Sequence, residues 1–588
     1  MIMASKRNVK SVRFGDPGYE EILQQWAAEC DDLPSEESDV SEAGNDDTED
    51  INFELVSDEY SGSSSDHGDD NSEDDVDDIG KSSTSDYIAP SGLVWSLEPP
   101  TKNKIQPHNI IRRAPGLARK HMAATPKEAF QLFVTPVIVQ EIVNCTNLEG
   151  KRVYGAKGKP WKDVTVDEFL AFCGLLIHAG VDRSWDVPAR ELFCDEFANC
   201  VYRATMSIFR FEEIRRFVRF DDKRTRNARL ETDKLAMVSY IWDLFIQQCK
   251  TCVIPDTNVT IDEQLVGFRG RCSFVQYMPS KPAKYGLKIF WMCESTSGYA
   301  LDGLVYVDRQ PGEPPHKNLG FEVVQILVRS IHNSGLNLTI DNFFTSVPLA
   351  TYLLDKNITV VGTLRQNKRD IPKEMKASKD RVVYTSLFCF QNNVSMVSYA
   401  RKKNKCVILL STMHHDASIN DDAKRKPEII SHYNKTKGGV DIMDKMVSTY
   451  TCKRQSKRWP MTFFFNIIDV AALNAYIVFT KEHPNYNIGV THKRRIFLKD
   501  LAKELVIPHM QRRSTNPNLR RSVRECMSRF IDICGPPAAH TSATIKRKRC
   551  SVCPSSIDRK STMICITCKN NICNEHSVRM CTKCYSNP

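Results

Sequence analysis

Lysine and arginine are missing from one long stretch of an otherwise basic sequence. Between Glu29 and Asp78 there is none of either, while 22 residues are Asp or Glu. The 588 residues together carry a formal net charge of +9, so the remainder of the chain carries +31. Such an excess favours a polyanionic partner, most simply nucleic acid, although basic faces also bind acidic proteins and membranes. Residues 1–105 are too polar to bury a core, and we expect them to be disordered.

The sequence also lacks a secretory signal and an uninterrupted membrane-spanning run. No apolar core follows the basic residues of MIMASKRNVK, so we expect the chain to stay inside the cell. The apolar stretch 461–480 is interrupted by Asn466, Asp469 and Asn474. Because such groups are costly in lipid, the pattern predicts a buried or interface helix and no membrane contact.

Cysteines are sparse outside the C-terminus. Seven of the 21 lie in the last 39 residues, and the other 14 are scattered. This distribution indicates reduced thiols and one metal-binding module rather than a disulfide framework.

The chain is too long for a single core, and its periodicity predicts several regions. Residues 106–257 are mainly helical in pattern, with Thr135 before Pro136 as one helix start and Thr165 with Glu168 as a capping box. From residue 258 to 372 we expect three strands in a hairpin meander, with Ser-Thr-Ser-Gly (295–298) as the turn between the second and third. Strands separated by helices follow, which is an α/β layout with a mixed sheet. A small β-rich segment is predicted at 373–433, and helices resume near Gly439 and continue to about 535. No internal repeat is found.

Acidic residues follow two of the predicted strands. Asp262 follows Val-Thr-Ile and Asp341 follows Leu-Thr-Ile, while Asp441 and Asp444 share one face of a helix in GGVDIMDKM. A single aspartate in such a position commonly caps a helix or faces water. Three that converge would suit Mg²⁺, which prefers carboxylate oxygens and leaves positions open for phosphate oxygens. Two such ions can assist phosphoryl transfer.

Several longer motifs resemble those of piggyBac-family transposases, in the same order and at similar spacing, from about residue 125 to the C-terminus. They are TIDEQLVGFRGR, PSKPAKYGLKIFWMCES, DNFFTSVPLA, VGTLRQNKRDIP, YNKTKGGVDIMDKM and KRWPM. The resemblance implies a multidomain α+β protein with an RNase H-like catalytic core at 258–372 and 434–457, interrupted by an insertion at 373–433. It implies helical DNA-binding and dimerisation regions at 106–257 and 458–537, and a cysteine-rich zinc-binding domain at 538–588.

The same resemblance implies a reaction and its residues. Transposon ends are cut, a hairpin forms on the flanking DNA, and the freed 3′-hydroxyl joins a TTAA target. The implied catalytic triad is Asp262, Asp341 and Asp441, with Asp444 as a fourth acid. We hypothesise that Asp262 and Asp341 bind or bridge two Mg²⁺ or Mn²⁺ ions, that Asp441 binds one of them, and that Asp444 is a ligand or a support. Glu263, on the opposite side of the strand, is assigned to local hydrogen bonding or a basic neighbour.

Basic residues cluster around these motifs and are interpreted as contacts to the DNA backbone, although basic loop residues are most often simply solvated. They are Arg269, Arg271, Lys281, Lys284, Lys288, Arg365, Lys368, Arg369, Lys453, Arg454, Lys457 and Arg458. Trp459 is either a packing residue or a platform for an unpaired base.

The C-terminal spacing predicts two tetrahedral zinc sites, since eight soft ligands occur in four close pairs. Alternating pairs would form a cross-brace, with one zinc on Cys550, Cys553, Cys573 and His576 and the other on Cys565, Cys568, Cys581 and Cys584. RING ubiquitin ligases also use a cross-brace, but they place histidine fourth among the ligands, whereas it is sixth here. The basic run before the module, Lys546, Arg547, Lys548 and Arg549, is a candidate nuclear import signal or phosphate clamp.

Taken together, the sequence predicts a nuclear DNA transposase that binds double-stranded DNA, namely terminal inverted repeats and a TTAA target, and acts as at least a dimer. One alternative is a transposase-derived nuclear DNA-binding protein without a catalytic role. A RING-like ubiquitin ligase is the third.

Overall fold

The computed structural model describes residues 86–100, 110–119, 122–194, 199–308, 318–532, 547–565 and 568–578. They belong to two compact units, one within residues 1–513 and the other within residues 514–588.

The N-terminal half of the first unit is helical, as predicted. Its helices are α1 (Pro126–Gln131), α2 (Pro136–Gly155), α3 (Val166–Val181), α4 (Ala189–Cys194), α5 (Cys200–Thr205), α6 (Ile208–Phe217), α7 (Lys223–Leu230) and α8 (Ser239–Cys252). The Thr135 and Thr165 hydroxyls cap α2 and α3 by accepting from Ile138 N and Glu168 N. Glu168 does not complete a capping box, because its carboxylate instead accepts from Arg210 at 2.8 and 3.0 Å.

A nine-stranded mixed sheet forms the centre of this unit. Its strands are β5 (Asn258–Gly267), β6 (Gln276–Tyr277), β7 (Tyr285–Glu294), β8 (Ala300–Val305), β9 (Asn337–Ile340), β10 (Thr359–Leu364), β11 (Ser386–Gln391), β12 (Val394–Lys402) and β13 (Lys405–Ser411). The order is β11-β12-β13-β10-β9-β5-β7, and β6 and β8 both pair with the outer side of β7. Only β9 runs parallel to its neighbours, β5 and β10. Helices α9 (Leu319–Leu327) and α10 (Val347–Asp355) precede and follow β9. The predicted meander and the strands separated by helices are therefore both present.

The β-rich segment at 373–433 extends this sheet rather than forming a sheet of its own. Strand β13 pairs antiparallel with β10, which satisfies backbone groups that an edge strand would leave unpaired. The expectation that helices resume only near Gly439 is wrong, because α11 (Glu428–Thr436) begins inside the predicted β-rich segment. Ile429, Ile430 and Tyr433 of α11 pack on the sheet against Val361 and Leu409, and this burial stabilises the helix.

The expectation of disorder up to residue 105 does not hold for residues 86–100. There β1 (Tyr87–Ile88) pairs with β2 (Val94–Trp95). Trp95 is fully buried, its indole N–H donates to Asp370 O at 3.1 Å, and Ser96 forms a bridge with Phe390 of β11. The buried tryptophan and the bridge to β11 thus join this short hairpin to the sheet, although its surroundings in the sequence are polar. Residues 1–85 lie outside the described residues.

Three helices follow α11 among the described residues up to 514: α12 (Gly439–Thr449), α13 (Trp459–Glu482) and α14 (Lys493–Ser514). Of the helices that the structure describes, α13 is the one long and apolar enough to span a membrane, and 94% of its most apolar window is buried inside the protein. This burial confirms the predicted core helix. The short strands β3 (Gly116–Leu117) and β4 (Val253–Ile254) pair with each other.

In the second unit, α15 (Arg521–Met527) precedes a two-stranded ribbon of β14 (Lys548–Arg549) and β15 (Lys560–Ser561). Lys548 and Arg549 of the basic run are exposed on β14, while Lys546 lies outside the described residues.

Candidate active site

Two of the predicted acids lie side by side on the sheet. The parallel strands β5 and β9 pair Ile261 with Ile340, so Asp262 and Asp341 are the next residues on adjacent strands, about 4.8 Å apart in backbone spacing. Both follow a Thr-Ile pair whose threonine faces α11. The Thr260 hydroxyl donates to Thr436 O at 2.6 Å, and the Thr339 and Thr436 hydroxyls are 2.7 Å apart. Asp262 and Asp341 therefore share the sheet face that carries α11 and α12.

A close approach of α12 brings the other two acids to this face. A Cβ atom on Gly439, at the first turn, would lie 3.1 Å from Ser295 Cα and 3.1 Å from Thr260 Oγ1. The adjacent turn at 295–298 is the predicted hairpin turn. Gly298 in this turn has a φ of +70° and packs against Ile442 and Met443 of α12. The glycine at 439 thus permits helix–sheet contact, and the helix start presents Asp441 and, one turn later, Asp444.

The carboxylates of Asp262, Asp341 and Asp441 repel one another, and those of Asp262 and Asp341 are largely shielded from water. Burial raises the pKa of Asp262 well above its usual range, and Glu263, Asp341 and Asp441 raise it further. Burial also raises the pKa of Asp341, against hydrogen bonds from backbone N–H groups that include Phe343 N. The charged forms of these carboxylates are unfavourable. A bound cation would suit this site, because its positive charge would offset the repulsion between them.

The aspartates do not form a single tight cage. Within the part of the chain that the structure describes, only a C-terminal cysteine–histidine group brings three or more ligand atoms within 4.8 Å of one another. Carboxylates that serve two ions about 3.5–4 Å apart need not be that close to each other. The described aspartates therefore do not enclose a single ion with three carboxylate oxygens within that distance of one another.

Asp444 is held by a buried amide network that the sequence analysis missed. Gln264 Nε2 donates to Asp444 Oδ1 at 2.7 Å, and Gln264 Oε1 accepts from Trp291 Nε1 at 2.9 Å and from Asn466 Nδ2 at 3.0 Å. The signal was available, because Gln264 lies two residues after Asp262 on the same face of β5. Burial raises the pKa of Asp444, and the Gln264 hydrogen bond opposes that rise.

Glu263 points to the other face of the sheet, as predicted, where it meets two of the predicted DNA contacts. Lys281 Nζ and Lys288 Nζ each lie 3.9 Å from a Glu263 carboxylate oxygen, and Lys281 Nζ also donates to Glu263 O at 3.0 Å. Lys288 Nζ lies 4.6 Å from the Phe290 ring centroid and 5.2 Å from that of Phe343. Both lysines thus have intramolecular partners next to the acidic group.

The basic segment that follows Asp444, residues 453–459, is more buried than its charge suggested. Arg454 is 3% exposed and its guanidinium donates to Ser184 O and Val187 O, so the interpretation of Arg454 as a DNA contact is wrong. Trp459 is 4% exposed and packs edge-on against Phe274, which supports the packing alternative and not a base platform. The partners of both side chains therefore lie inside the protein: two backbone carbonyls for Arg454 and the Phe274 ring for Trp459.

The remaining basic residues differ from one another in exposure and in hydrogen-bond partners. Lys453 Nζ donates to Gly267 O at 2.5 Å, and Arg458 donates to Arg216 O and Val218 O at 3.1 and 2.7 Å. Arg365 Nε donates to Asn342 Oδ1 at 3.2 Å beside Asp341, and Arg369 lies against Pro90 O at 3.4 Å. Lys368 is half-buried. The exposed members of the predicted set are Arg269, Arg271, Lys284, Arg365, Arg369 and Lys457.

Comparison with known proteins decides the family. A family profile described as Transposase IS4 matches residues 125–476, more than half of the chain. A solved piggyBac transposase, in a synaptic complex with hairpin DNA, is 38% identical with a TM-score of 0.69, covering 80% of this chain and 100% of that one. The chain belongs to the piggyBac family of transposases.

Human relatives of this piggyBac-family chain are more distant. PiggyBac transposable element-derived protein 3 is 25% identical over 368 residues, which cover 58% of this chain and 60% of the relative. PiggyBac transposable element-derived protein 2 is 24% identical over 465 residues, or 74% of this chain and 73% of the relative. The chain thus spans about three fifths of the first of these relatives.

In the second unit of this piggyBac-family chain, Cys550, Cys553, Cys573 and His576 come together. His576 Nδ1 lies 3.7, 3.5 and 3.3 Å from the three sulfurs, and the Cys553 and Cys573 sulfurs are 3.8 Å apart. A tetrahedron with corners about 2.3 Å from its centre has edges of about 3.8 Å, so these four ligands fit zinc. Burial raises the pKa of the Cys550 thiol, but backbone N–H groups and His576 outweigh it and lower the pKa to about 6.

This quartet is the first of the two predicted by alternating pairs. Of the second quartet, Cys565 and Cys568 are described, whereas Cys581 and Cys584 lie outside the described residues. The described cysteines are free thiols.

Proposed function

We propose that the protein is a cut-and-paste DNA transposase whose catalytic residues are Asp262, Asp341 and Asp441. The proposal rests on one observation above all: adjacent parallel strands present Asp262 and Asp341 on the face to which α12 brings Asp441. Three antiparallel strands, β5, β7 and β8, followed by the parallel β9 support an RNase H-like core at 258–372 and 434–457.

The proposed reaction is a series of in-line displacements at phosphorus: strand cleavage at the transposon ends, hairpin formation and opening, and joining to a TTAA target. Asp262 and Asp341 would hold both divalent cations and Asp441 one of them. Mg²⁺ or Mn²⁺ bound there would activate the attacking oxygen and stabilise the leaving oxygen. Asp444 would support the site, because its Oδ1 already accepts from Gln264.

Replacing Asp341 tests the catalytic assignment. An Asp341→Asn side chain keeps an oxygen that can accept from Phe343 N, now at 2.9 Å, so the fold should persist. We expect single-turnover cleavage of DNA carrying the cognate ends, in Mg²⁺, to fall by about 100-fold or more. Asp380→Asn, in an exposed loop, is the matched control and should cleave at the wild-type rate.

Undiminished cleavage by the Asp341→Asn protein would contradict the assignment. A wild-type protein that binds these ends without cutting them would instead favour the alternative of a transposase-derived DNA-binding protein, a possibility raised by the names of the human relatives.

We further propose that the C-terminal module is a cross-brace of two zinc sites that binds the terminal DNA of the transposon. The tetrahedral spacing of the first quartet supports it, since alternating pairs leave Cys565, Cys568, Cys581 and Cys584 for a second ion. So short a module has little core, and zinc would supply much of its folding free energy.

Metal analysis of the intact, reduced protein tests the cross-brace. We expect two zinc ions per chain in the wild type and about one after Cys573→Ser, because three ligands hold zinc far less tightly than four. A wild-type content near one, or none, would contradict a two-site module.

We also propose that the protein acts in the nucleus and at least as a dimer, because two transposon ends must be processed together. The exposed Lys548 and Arg549 support a basic import signal or a phosphate clamp. Light scattering of the complex with both ends would count the copies, and a single copy would contradict the dimer.

A further inference from the structure

Two exposed tyrosines face each other where β6 pairs with β7. Tyr277 and Tyr285 are directly opposite in the antiparallel register, 57% and 45% exposed. Their ring centroids are 4.8 Å apart with an interplanar angle of 40°. Nearby aromatic residues such as Phe268, Phe274 and Phe290 are buried, so this exposed pair has no role in the core.

The hairpin that carries the pair is rigid. Within its loop, Met278 N donates to Lys284 O at 2.7 Å and Lys281 N donates to Met278 O at 3.1 Å. Pro279 and Pro282 restrict the same loop. Lys281 Nζ fastens it to Glu263 O at 3.0 Å. Because the rings are held in place beforehand, a planar ligand that stacks on them would lose little conformational entropy of the protein.

The pair lies on the same face of the sheet as the aspartates. Side chains alternate along a strand, so Tyr285 shares its face with Trp291, which is paired with Asp262. Trp291 lies six residue steps along β7 from Tyr285, a distance of about 20 Å. At about 3.4 Å per base along one strand, this corresponds to about six base steps of DNA.

Positive charge adjoins the rings. Phe268 N donates to Tyr285 O at 3.0 Å, which places the exposed Arg269 next to the pair, and the exposed Lys284 precedes Tyr285 in the chain. Rigid aromatic faces flanked by cations are the arrangement with which proteins bind unpaired bases, through stacking on the rings and backbone contacts to the cations.

We propose that Tyr277 and Tyr285 form a stacking platform for an unpaired DNA base, about six base steps from the phosphate that reacts at the aspartates. The proposal rests on the proposed function, since it requires DNA at Asp262. Because every base has an apolar face and the platform offers ring surfaces, it should hold the strand without selecting a sequence. The two tyrosines are thus positioning residues that keep an opened strand on the sheet face.

Fluorescence of 2-aminopurine, which decreases when this base analogue stacks, tests the platform. The probe is a duplex with a single-stranded extension that carries the analogue at one of positions 4 to 8 from the junction, mixed with the full-length protein in Ca²⁺. We expect quenching centred near position six with wild type. The double variant Tyr277→Ala/Tyr285→Ala should not quench, and should bind the extended probe about 5- to 150-fold more weakly while binding the fully paired duplex as wild type does.

Two further variants separate stacking from folding. Tyr277→Phe/Tyr285→Phe keeps the rings and should quench like wild type, whereas loss of quenching there would overturn a stacking role. Tyr240→Ala removes another tyrosine, 54% exposed on α8, and should leave quenching unchanged. Equal quenching by the double alanine variant would also overturn the proposal.

The cleavage assay keeps this proposal distinct from the proposed function. If Asp341→Asn cleaves normally while the double alanine variant loses quenching, the platform stands and the catalytic assignment falls. If Asp341→Asn abolishes cleavage while the alanine variant still quenches, the platform falls and the transposase assignment stands.

Discussion

At the scale of single residues, Asn466, Asp469 and Asn474, which interrupt the apolar stretch of α13, each have an identified partner. Asn466 binds Gln264, and Asn474 binds both the N–H and the carbonyl of Ala300 at 3.0 Å. Asp469 accepts from the Thr451 hydroxyl at 2.6 Å and from Cys452 N at 2.8 Å. The three residues that argue against a membrane helix in the sequence therefore form hydrogen bonds between α13 and neighbouring segments.

Asp469 gives a pH-dependent prediction. Burial raises its pKa to about 7, against the hydrogen bonds from Thr451 and Cys452. An unfolded aspartate has a pKa of about 3.9. Between pH values of about 3.9 and about 7, Asp469 therefore keeps its proton in the folded chain and releases it in the unfolded chain. The contribution of Asp469 to stability is therefore largest below pH 4 and is lost as the pH rises through 7.

An Asp469→Asn side chain can bond to both partners and has no charge to bury. We expect its melting temperature, relative to wild type, to rise by a few degrees between pH 4 and pH 8, measured by differential scanning fluorimetry. A difference between the two proteins that stays constant across this range would contradict the prediction.

The aspartates could be predicted from the sequence, whereas the burial of basic and aromatic residues close to them in the chain could not. Asp262, Asp341 and Asp441 follow recognisable strand and helix patterns, and the alternation along β5 correctly separated Asp262 from Glu263. The buried state of Arg454 and Trp459 was hidden, because burial depends on carbonyls and rings from residues more than 180 positions away. A basic run gives no sign of such distant partners.

At the scale of elements, α12 determines how Asp441 reaches the strands. Gly438, which precedes α12, and Gly439, its first residue, are not equivalent. A Cβ on Gly439 would meet Ser295, Thr260 and Glu294 at 3.1–3.2 Å, whereas a Cβ on Gly438 would meet only Ile442 Cδ1, at 3.9 Å. A side chain at residue 439 would therefore require the helix or the sheet to shift by a few tenths of an ångström.

This difference provides a matched pair of variants. Gly439→Ala should push the start of α12 away by a few tenths of an ångström and slow single-turnover strand cleavage about 3- to 30-fold, because catalysis depends on placement within about 1 Å. Gly438→Ala, in the same turn, should remain close to wild type. Equal rates for the two variants would show that the contact at Gly439 does not position Asp441.

Elements with strong local patterns were predicted, and elements that depend on distant contacts were not. The caps at Thr135 and Thr165 and the turn at 295–298 are encoded within a few residues. Helix α11 was missed because its apolar residues, Ile429, Ile430 and Tyr433, occupy a short stretch bounded by polar ones, and the sheet beneath them supplies the stabilisation. The membership of β11, β12 and β13 in the central sheet depends on β10, which lies more than 20 residues earlier in the chain.

At the scale of the whole molecule, charge is unevenly distributed along the chain. The 22 acidic residues between Glu29 and Asp78 oppose a remainder of +31. Because Trp95 and Ser96 pack on the sheet, the acidic region can be removed without loss of the fold only if the cut lies before residue 86. The boundary at 105 expected from composition would remove a buried tryptophan.

Removal of residues 1–85 should strengthen binding to arbitrary duplex DNA at low salt, since the acidic residues no longer compete with phosphate for the basic surface. The gain should shrink as salt screens both attractions, and a titration between 50 and 300 mM NaCl by fluorescence anisotropy would measure it.

A full-length control, with the acidic residues between 29 and 78 replaced by Asn and Gln, should show the same gain. Binding that is unchanged in both proteins would refute a screening role, and a gain in the truncated protein alone would assign the effect to chain length instead of charge.

The three polar residues of α13 also restrict how the molecule can move. Asn466, Asp469 and Asn474 bond to β5, to the segment before α13 and to β8 at three heights along one helix. A slide of one turn, about 5.4 Å, would leave all three sets of buried partners unmatched at once. These bonds thus hold the lengthwise register of α13 against β5 and β8, and a rearrangement of the first unit that keeps them must leave this register unchanged.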